Sequence, residues 1–256
     1  MVFIFFFILG SVWGSFSNVC IYRIPNNQGV VLSRSFCPKC KNIIRWYDNI
    51  PLISFLLLKA KCRNCDYKIN FQYFAVELLT AVSFVLIYYF YGLTITSLLL
   101  LILSVFFIVI FFIDLKHYII PNELTFPLMF IGFIKSFDPN LNQLIFPNFV
   151  NSLIGGVIGY LIIWLIIFLY KKIRNKEGMG LGDAKLLSAI GFWFGWISIP
   201  IIIFFSSVIA LLTVAPSLIN KSRNLSTQIP FGPYLIIGCV IFIIFGNQVK
   251  LILFNI

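Results

Sequence analysis

Long, nearly unbroken apolar runs constrain this chain before anything else does. Eight stretches, at roughly 2–20, 73–91, 96–113, 123–136, 149–170, 184–198, 200–218 and 230–247, carry almost no charge. Most approach the ~20 residues that a helix needs to cross a ~30 Å hydrocarbon layer. Unpaired backbone groups are too costly in lipid, so such runs are helices; barrel strands would alternate in polarity, and these do not. Composition agrees, with 61% of the 256 residues hydrophobic and 11% charged, where a soluble domain carries about 25%. The expectation is an all-α polytopic membrane protein of about eight transmembrane helices. The fourth run is short and holds Pro127, so it tilts, kinks or crosses only in part. Little more than Pro200 separates the sixth run from the seventh.

With eight spans the loops alternate between two sides. One side receives nine Lys/Arg in 21–72, one in 114–122, four in 171–183 and two in 219–229, with Lys185 just inside the next helix; Lys135 and Lys250 fall on the other. The positive-inside rule makes the basic side cytoplasmic and puts both termini outside. The net charge of +11 then reads as topology signalling and attraction to anionic lipid. No nucleic-acid-binding module accompanies it, and no nucleic-acid partner is expected. The first run has no Lys or Arg before it and no small-residue cleavage site after it, which predicts a retained anchor.

Two blocks follow. Residues 1–72 combine the N-terminal anchor with a cytoplasmic loop, and residues 73–256 form a helical membrane core. Within the loop, Cys37-Pro-Lys-Cys40 is followed after 21 residues by Cys62-Arg-Asn-Cys65. Two CxxC turns at this separation suit a tetrahedral four-thiolate zinc site. The loop is too small to bury much of a core, so metal would supply its folding energy. A reducing cytoplasm argues against disulfides; a redox dithiol and unligated thiols are the alternatives. Four thiolates leave no open position, so a zinc here is structural. Cys20 and Cys239, in or beside apolar runs, read as small hydrophobes.

Only eight residues are acidic. Asp48, Asp66 and Asp138 read as solvated, and Glu177 as ion-paired among basic neighbours. Glu77 and Glu123 lie near span ends. Asp114 closes the run Val105–Ile113, an expensive place for a carboxylate unless it is paired or functional. Asp183 follows Gly178-Met-Gly-Leu-Gly182 and precedes an apolar run. Both fall at the same cytoplasmic border of a topology built from Lys and Arg alone. Two carboxylates in a partly desolvated site share a proton, so one can deprotonate water while the other protonates the scissile group. Other readings stay open: Asp183 as a helix N-cap, Asp114 in an ion pair with Lys116 or Lys185, or the acids as a proton or cation relay in a transporter. A relay acid belongs nearer mid-bilayer, and transporters often show inverted repeats that are not visible here. His117 reads as a border residue rather than a catalyst.

Several segments, in order, resemble the bacterial type IV prepilin peptidases, a family of polytopic aspartic peptidases. Gly14-Ser-Phe-Ser-Asn-Val-Cys-Ile-Tyr-Arg-Ile-Pro25 is similar to the family's opening motif. The paired-CxxC stretch Cys37 to Cys65, including Trp46-Tyr-Asp-Asn-Ile-Pro-Leu52, is similar to its cytoplasmic loop, and Val76-Glu-Leu-Leu-Thr80 to the segment after it. Phe112-Ile-Asp114-Leu-Lys-His-Tyr-Ile-Ile-Pro121-Asn-Glu-Leu-Thr125 and Gly178-Met-Gly-Leu-Gly-Asp183-Ala-Lys185-Leu-Leu resemble the two catalytic motifs. Pro230-Phe-Gly-Pro233 resembles a C-terminal one. The chain departs from the family at 71–76, where an Arg and a Pro are frequent, and at Asn122-Glu123, where an Asp is. The resemblance implies that Asp114 and Asp183 are the catalytic pair. It implies a prepilin or pseudopilin substrate with a basic leader and an apolar helix, cleaved after a glycine at the cytoplasmic face of the bacterial inner membrane. It also implies N-methylation of the new N-terminus from S-adenosylmethionine, an activity associated with the N-terminal block.

Overall fold

The computed structural model describes residues 1–30, 35–141, 145–175, 179–219 and 229–254. Glu177 and Gly178, and the basic residues of 221–228, lie outside the described residues. Each apolar stretch is a helix: α1 (Val2–Arg23), α3 (Phe71–Tyr91), α4 (Ile95–His117), α5 (Asn122–Lys135), α6 (Phe149–Arg174), α7 (Leu181–Phe194), α8 (Ser198–Ile219) and α9 (Gly232–Phe254), with a short α2 (Ile53–Leu57) in the cysteine loop. Five are long and apolar enough to cross a membrane: Val2–Asn26, Phe71–Tyr91, Ile95–His117, Phe149–Ile173 and Ser198–Pro216. The chain is therefore a multi-pass membrane protein. Helices α5 and α7 have 14 residues each, about 21 Å at 1.5 Å per residue, less than the ~30 Å hydrocarbon layer, so a crossing by either needs a locally thinner bilayer. The apolar part of α9 is Gly232–Phe245.

The boundaries around the sixth run shift toward its N-terminus. Gly195, at φ +79°, stops α7 at Phe194, four residues before the run was expected to end. Pro200 then sits in the first turn of α8, where its missing N–H is not needed.

The contacts divide the chain into two compact units, residues 1–109 and 110–256. In the first, α1 and α3 run antiparallel. Gly10 faces Ala81, and a Cβ on Gly14 would stand 2.6 Å from Glu77 Cα. Small residues at this spacing let the two backbones touch, which is how helices associate in lipid. Further along, Asn18 Nδ2 donates to Tyr73 O at 2.9 Å, and at the other end Phe6 stacks on Tyr88 with 4.4 Å between centroids. Glu77 is buried and accepts the Leu52 N–H at 2.8 Å, with Ser15 as a second partner. Leu52 holds φ +61°, so this carboxylate pins an uncomfortable turn of the cysteine loop to α3.

In the second unit α7 is the central element, buried from Asp183 nearly to its end. Gly155 of α6 and Gly191 of α7 meet backbone to backbone, with a Cβ on Gly155 falling 2.5 Å from Gly191 O. Ser188 Oγ donates to Gly156 O at 2.8 Å and Ser152 Oγ to Phe192 O at 2.6 Å. On the other flank Trp193 Nε1 donates to Leu128 O of α5 at 2.8 Å. Lys135, at the end of α5, is buried with no hydrogen-bond partner for its Nζ among the described residues; the ammonium lies over the Phe146 ring, 4.2 Å from the centroid.

Replacing Glu77 by Ala strands the Leu52 amide and is expected to cost about 1–3 kcal/mol of stability. Glu77→Gln keeps an acceptor and should lose much less. Thermal unfolding of the purified variants in detergent checks this, and equal melting of both variants would show that the hydrogen bond is not what holds the turn.

Candidate active site

Asp114 lies within α4 rather than at its end. The helix runs three residues further and closes at Tyr118, whose left-handed φ of +57° lets its N–H return to Asp114 O at 2.9 Å. The Asp114 side chain is 4% exposed. Its Oδ2 accepts the backbone N–H of Gly232, the first residue of α9, at 3.0 Å. A Cβ on Gly232 would stand 2.7 Å from that same oxygen, so only glycine allows the amide to come this near.

Asp183 is the third residue of α7. Gly180 is the N-cap and offers no side chain for capping, so the N-cap reading of Asp183 is incorrect in position. Its carboxylate instead turns back to the Gly180 amide, the reciprocal half of a capping box. It is 7% exposed and close enough to Asp114 to feel that carboxylate's charge. Ile120 ties the parts together. A Cβ on Gly182 would lie 2.9 Å from Ile120 Cβ, and one on Gly232 would lie 3.0 Å from Ile120 Cδ1. The end of α4 and the starts of α7 and α9 thus converge on two buried carboxyl groups.

Lys185 does not pair with Asp114. Lys185 Nζ donates to Asn122 Oδ1 at 2.7 Å and lies 5.5 Å from the Phe126 ring centroid. Among the described residues no ion pair joins Asp114 to Lys116 or Lys185. His117 is half-buried at the last position of α4. Neither Gly232 nor Ile120 was singled out from the sequence. The Pro-Phe-Gly-Pro segment was visible as a motif, but no local pattern tells where a segment more than a hundred residues distant will land.

The four loop cysteines come together. Cys37, Cys40, Cys62 and Cys65 have their sulfurs within 4.8 Å of one another, with 3.8 Å between Cys37 and Cys65. A tetrahedral zinc with Zn–S bonds of about 2.3 Å requires S···S edges of about 3.8 Å, so the donor set fits that ion. The two knuckles repeat one geometry. Cys37 N–H bonds Asn42 O and Cys62 N–H bonds Tyr67 O, and Lys41 and Asp66 both take positive φ after the second cysteine. Burial pushes the Cys37 thiol up, but the Cys40 and Lys39 amides and the Cys40 and Cys62 thiols outweigh it and bring it to about 7. The Tyr67 amide draws Cys65 down, while burial and the other three thiols push it to about 11. A cation at the centre would end this competition for protons by taking all four as thiolates. Asp48, read as solvated, is instead paired with Arg63 at 2.6 Å; the Arg63 hydrogen bond holds its carboxyl below the usual range.

Known proteins share both parts of this chain. Residues 8–91 match the bacterial peptidase A24 N-terminal domain, and residues 101–215 match the type IV leader peptidase family. A prepilin leader peptidase/N-methyltransferase of Neisseria gonorrhoeae is 37% identical over 92% of this chain and 88% of its own. Proteins of the same name from Xanthomonas campestris and Pseudomonas aeruginosa are 35% and 33% identical, each over 94% of this chain and 90% of theirs. No solved structure matches.

Replacing Cys62 by Ser breaks the tetrahedron and is expected to reduce bound zinc from about one ion per chain to a small fraction of that. Elemental analysis of protein purified without chelator measures it, and undiminished zinc in the variant would rule out the four-thiolate site.

Proposed function

The chain belongs to the type IV leader peptidase family, and from that premise we propose that it is an aspartic endopeptidase whose catalytic pair is Asp114 and Asp183. Its substrates are type IV prepilins or pseudopilins, from which it removes the basic leader before N-methylating the new terminus. The observation that supports this most is the burial of two carboxyl groups where the end of α4 meets the starts of α7 and α9 around Ile120, within the part of the chain that matches the peptidase family.

The chemistry follows from the pair's surroundings. Two adjacent carboxyls in a low-dielectric site hold one proton between them, and they titrate as a unit. The ionised member takes a proton from a water molecule as that water attacks the scissile carbonyl. The protonated member donates to the carbonyl oxygen and, as the intermediate collapses, a proton passes to the leaving amine. No covalent intermediate forms. Gly232 N–H on Asp114 and Gly180 N–H on Asp183 fix each carboxyl from behind through backbone donors, which cannot rotate away. The oxygens without these bonds are left for water and substrate.

All eight apolar helices lie in the membrane in this reading, and 17 of the 19 basic residues face the cytoplasm. The substrate's apolar helix remains in the inner membrane while its leader stays in the cytoplasm, so the scissile bond, after a glycine, reaches the border where both aspartates stand. The N-terminal block, matched over residues 8–91, carries the methylation, for which S-adenosylmethionine supplies the methyl group. Zinc on the four cysteines stabilises that block's loop and takes no part in peptide cleavage. A transporter relay lacks comparable support, because nothing ties the aspartates to a conduction path.

Asp114→Asn and Asp183→Asn are each expected to lower cleavage of a model prepilin by about 10²–10⁴-fold or more while leaving the melting temperature near that of the parent. Gly232→Ala forces the α9 start off Asp114 and should cost about 10²-fold. Mass spectrometry of the products of purified protein reads all three, and near-parental cleavage by either Asn variant would remove the dyad from consideration.

A further inference from the structure

The cysteine loop carries an apolar ridge that none of the described residues of its own unit covers. In α2, Ile53, Leu56 and Leu57 stand at i, i+3 and i+4, which places them on one helical face. They are 53%, 64% and 77% exposed. A soluble surface seldom presents three large aliphatics side by side without a partner. The opposite side of α2 is occupied, since Ser54 is buried and donates to Tyr47 O at 3.1 Å. Phe55 packs on the first turn of α3, with ring centroids 6.4 Å from Phe71 and 5.3 Å from Phe74.

That last contact fixes where the ridge lies. Helix α3 is a membrane span, and its first turn marks a water–lipid border. Helices α1 and α3 are antiparallel neighbours, so residues 27–70 leave and re-enter the membrane at the same side. The ridge is therefore held within a helix diameter of the bilayer surface by covalent attachment at both ends. Its flanks are basic. Lys59 and Lys61 follow directly and are exposed, and residues 27–70 contain eight Lys/Arg against two Asp. Trp46, 81% exposed, sits in the turn against which α2 packs; tryptophan is the side chain most enriched at headgroup depth.

We propose that α2 is an interfacial anchor. Ile53, Leu56 and Leu57 insert at the boundary between headgroups and acyl chains, Lys59 and Lys61 engage anionic phospholipid headgroups, and the four-cysteine module is held down on the surface of its own membrane. An apolar face with cationic flanks lying parallel to the membrane is the arrangement that binds anionic bilayers. The same patch would poorly suit a basic peptide, which the surrounding lysines and arginines repel. This inference is independent of the proposed peptidase activity.

The test uses the full-length protein in nanodiscs containing phosphatidylglycerol and bromine-labelled phospholipid. Leu57→Trp places a reporter on the ridge, and Asn64→Trp places one on an exposed position of the second knuckle as the comparison. Fluorescence of the unsubstituted protein is subtracted from each. The ridge reporter is expected to show at least about threefold more bromine quenching than the knuckle reporter, and adding Lys59→Gln and Lys61→Gln should reduce that excess. All four substitutions fall on exposed positions, and retained metal content verifies that the module is intact. Equal quenching of the two reporters would overturn the proposal. A ridge reporter shielded from aqueous acrylamide yet untouched by the lipid bromine would overturn it too, by showing that protein, not lipid, covers α2.

Discussion

Inside a hydrocarbon layer a polar group must find its partner within the protein, because no water is there to supply one. Most of the buried polar groups obey this fully. Ser152, Ser188, Ser206 and Trp193 each donate to a backbone carbonyl, and Glu77 accepts from Leu52 and Ser15. Those bonds, with the glycine crossings of α1 on α3 and α6 on α7, hold the helices in register where apolar packing alone would let them slide. Asp114 and Asp183 differ. Each is buried, each receives one backbone N–H from the described residues, and an ionised carboxylate has about four acceptor positions. Glu77, with two donors, is better satisfied than either aspartate. The aspartates' unfilled capacity is what a site that must bind water and move protons requires.

Much of this was legible in the sequence, for physical reasons that also set the limits. The apolar runs located the long helices, five of which are long and apolar enough to cross a membrane, because lipid enforces length and composition. They did not fix helix ends, which depend on single residues: Gly195 stops α7 early, and α4 continues past Asp114 to a left-handed Tyr118. Asp114 and Asp183 stood out because acids are scarce and costly there, and the CxxC pairs because metal geometry fixes their spacing. What could not be read was convergence at a distance. Gly232 is more than a hundred residues from the aspartate it touches, and Ile120 looks like any apolar loop residue until Gly182 and Gly232 close on it. Lys185 is a candidate partner for Asp114 by sequence position, but its side chain settles on Asn122 and Phe126 instead.

The N-terminal unit applies the same physics at the membrane's edge. A short loop with little core of its own is organised by four sulfurs at the separation a tetrahedral cation needs, and by Glu77 from below. Its remaining apolar surface lies beside the first turn of α3, where lipid is the nearest apolar partner. Metal and membrane would then supply together the stability that a segment of this size cannot generate alone.

The central claim is that Asp114 and Asp183 act as one unit sharing one proton. A double-mutant cycle on cleavage of a model prepilin addresses it directly, with Asp114→Asn, Asp183→Asn and the combined variant compared as purified, folded proteins. Groups that work as a unit are strongly non-additive. The account predicts that the combined variant is no slower than the slower single variant. Losses that multiply, with the combined variant slower by the product of the two single effects, would contradict it and mean that each aspartate serves the reaction independently.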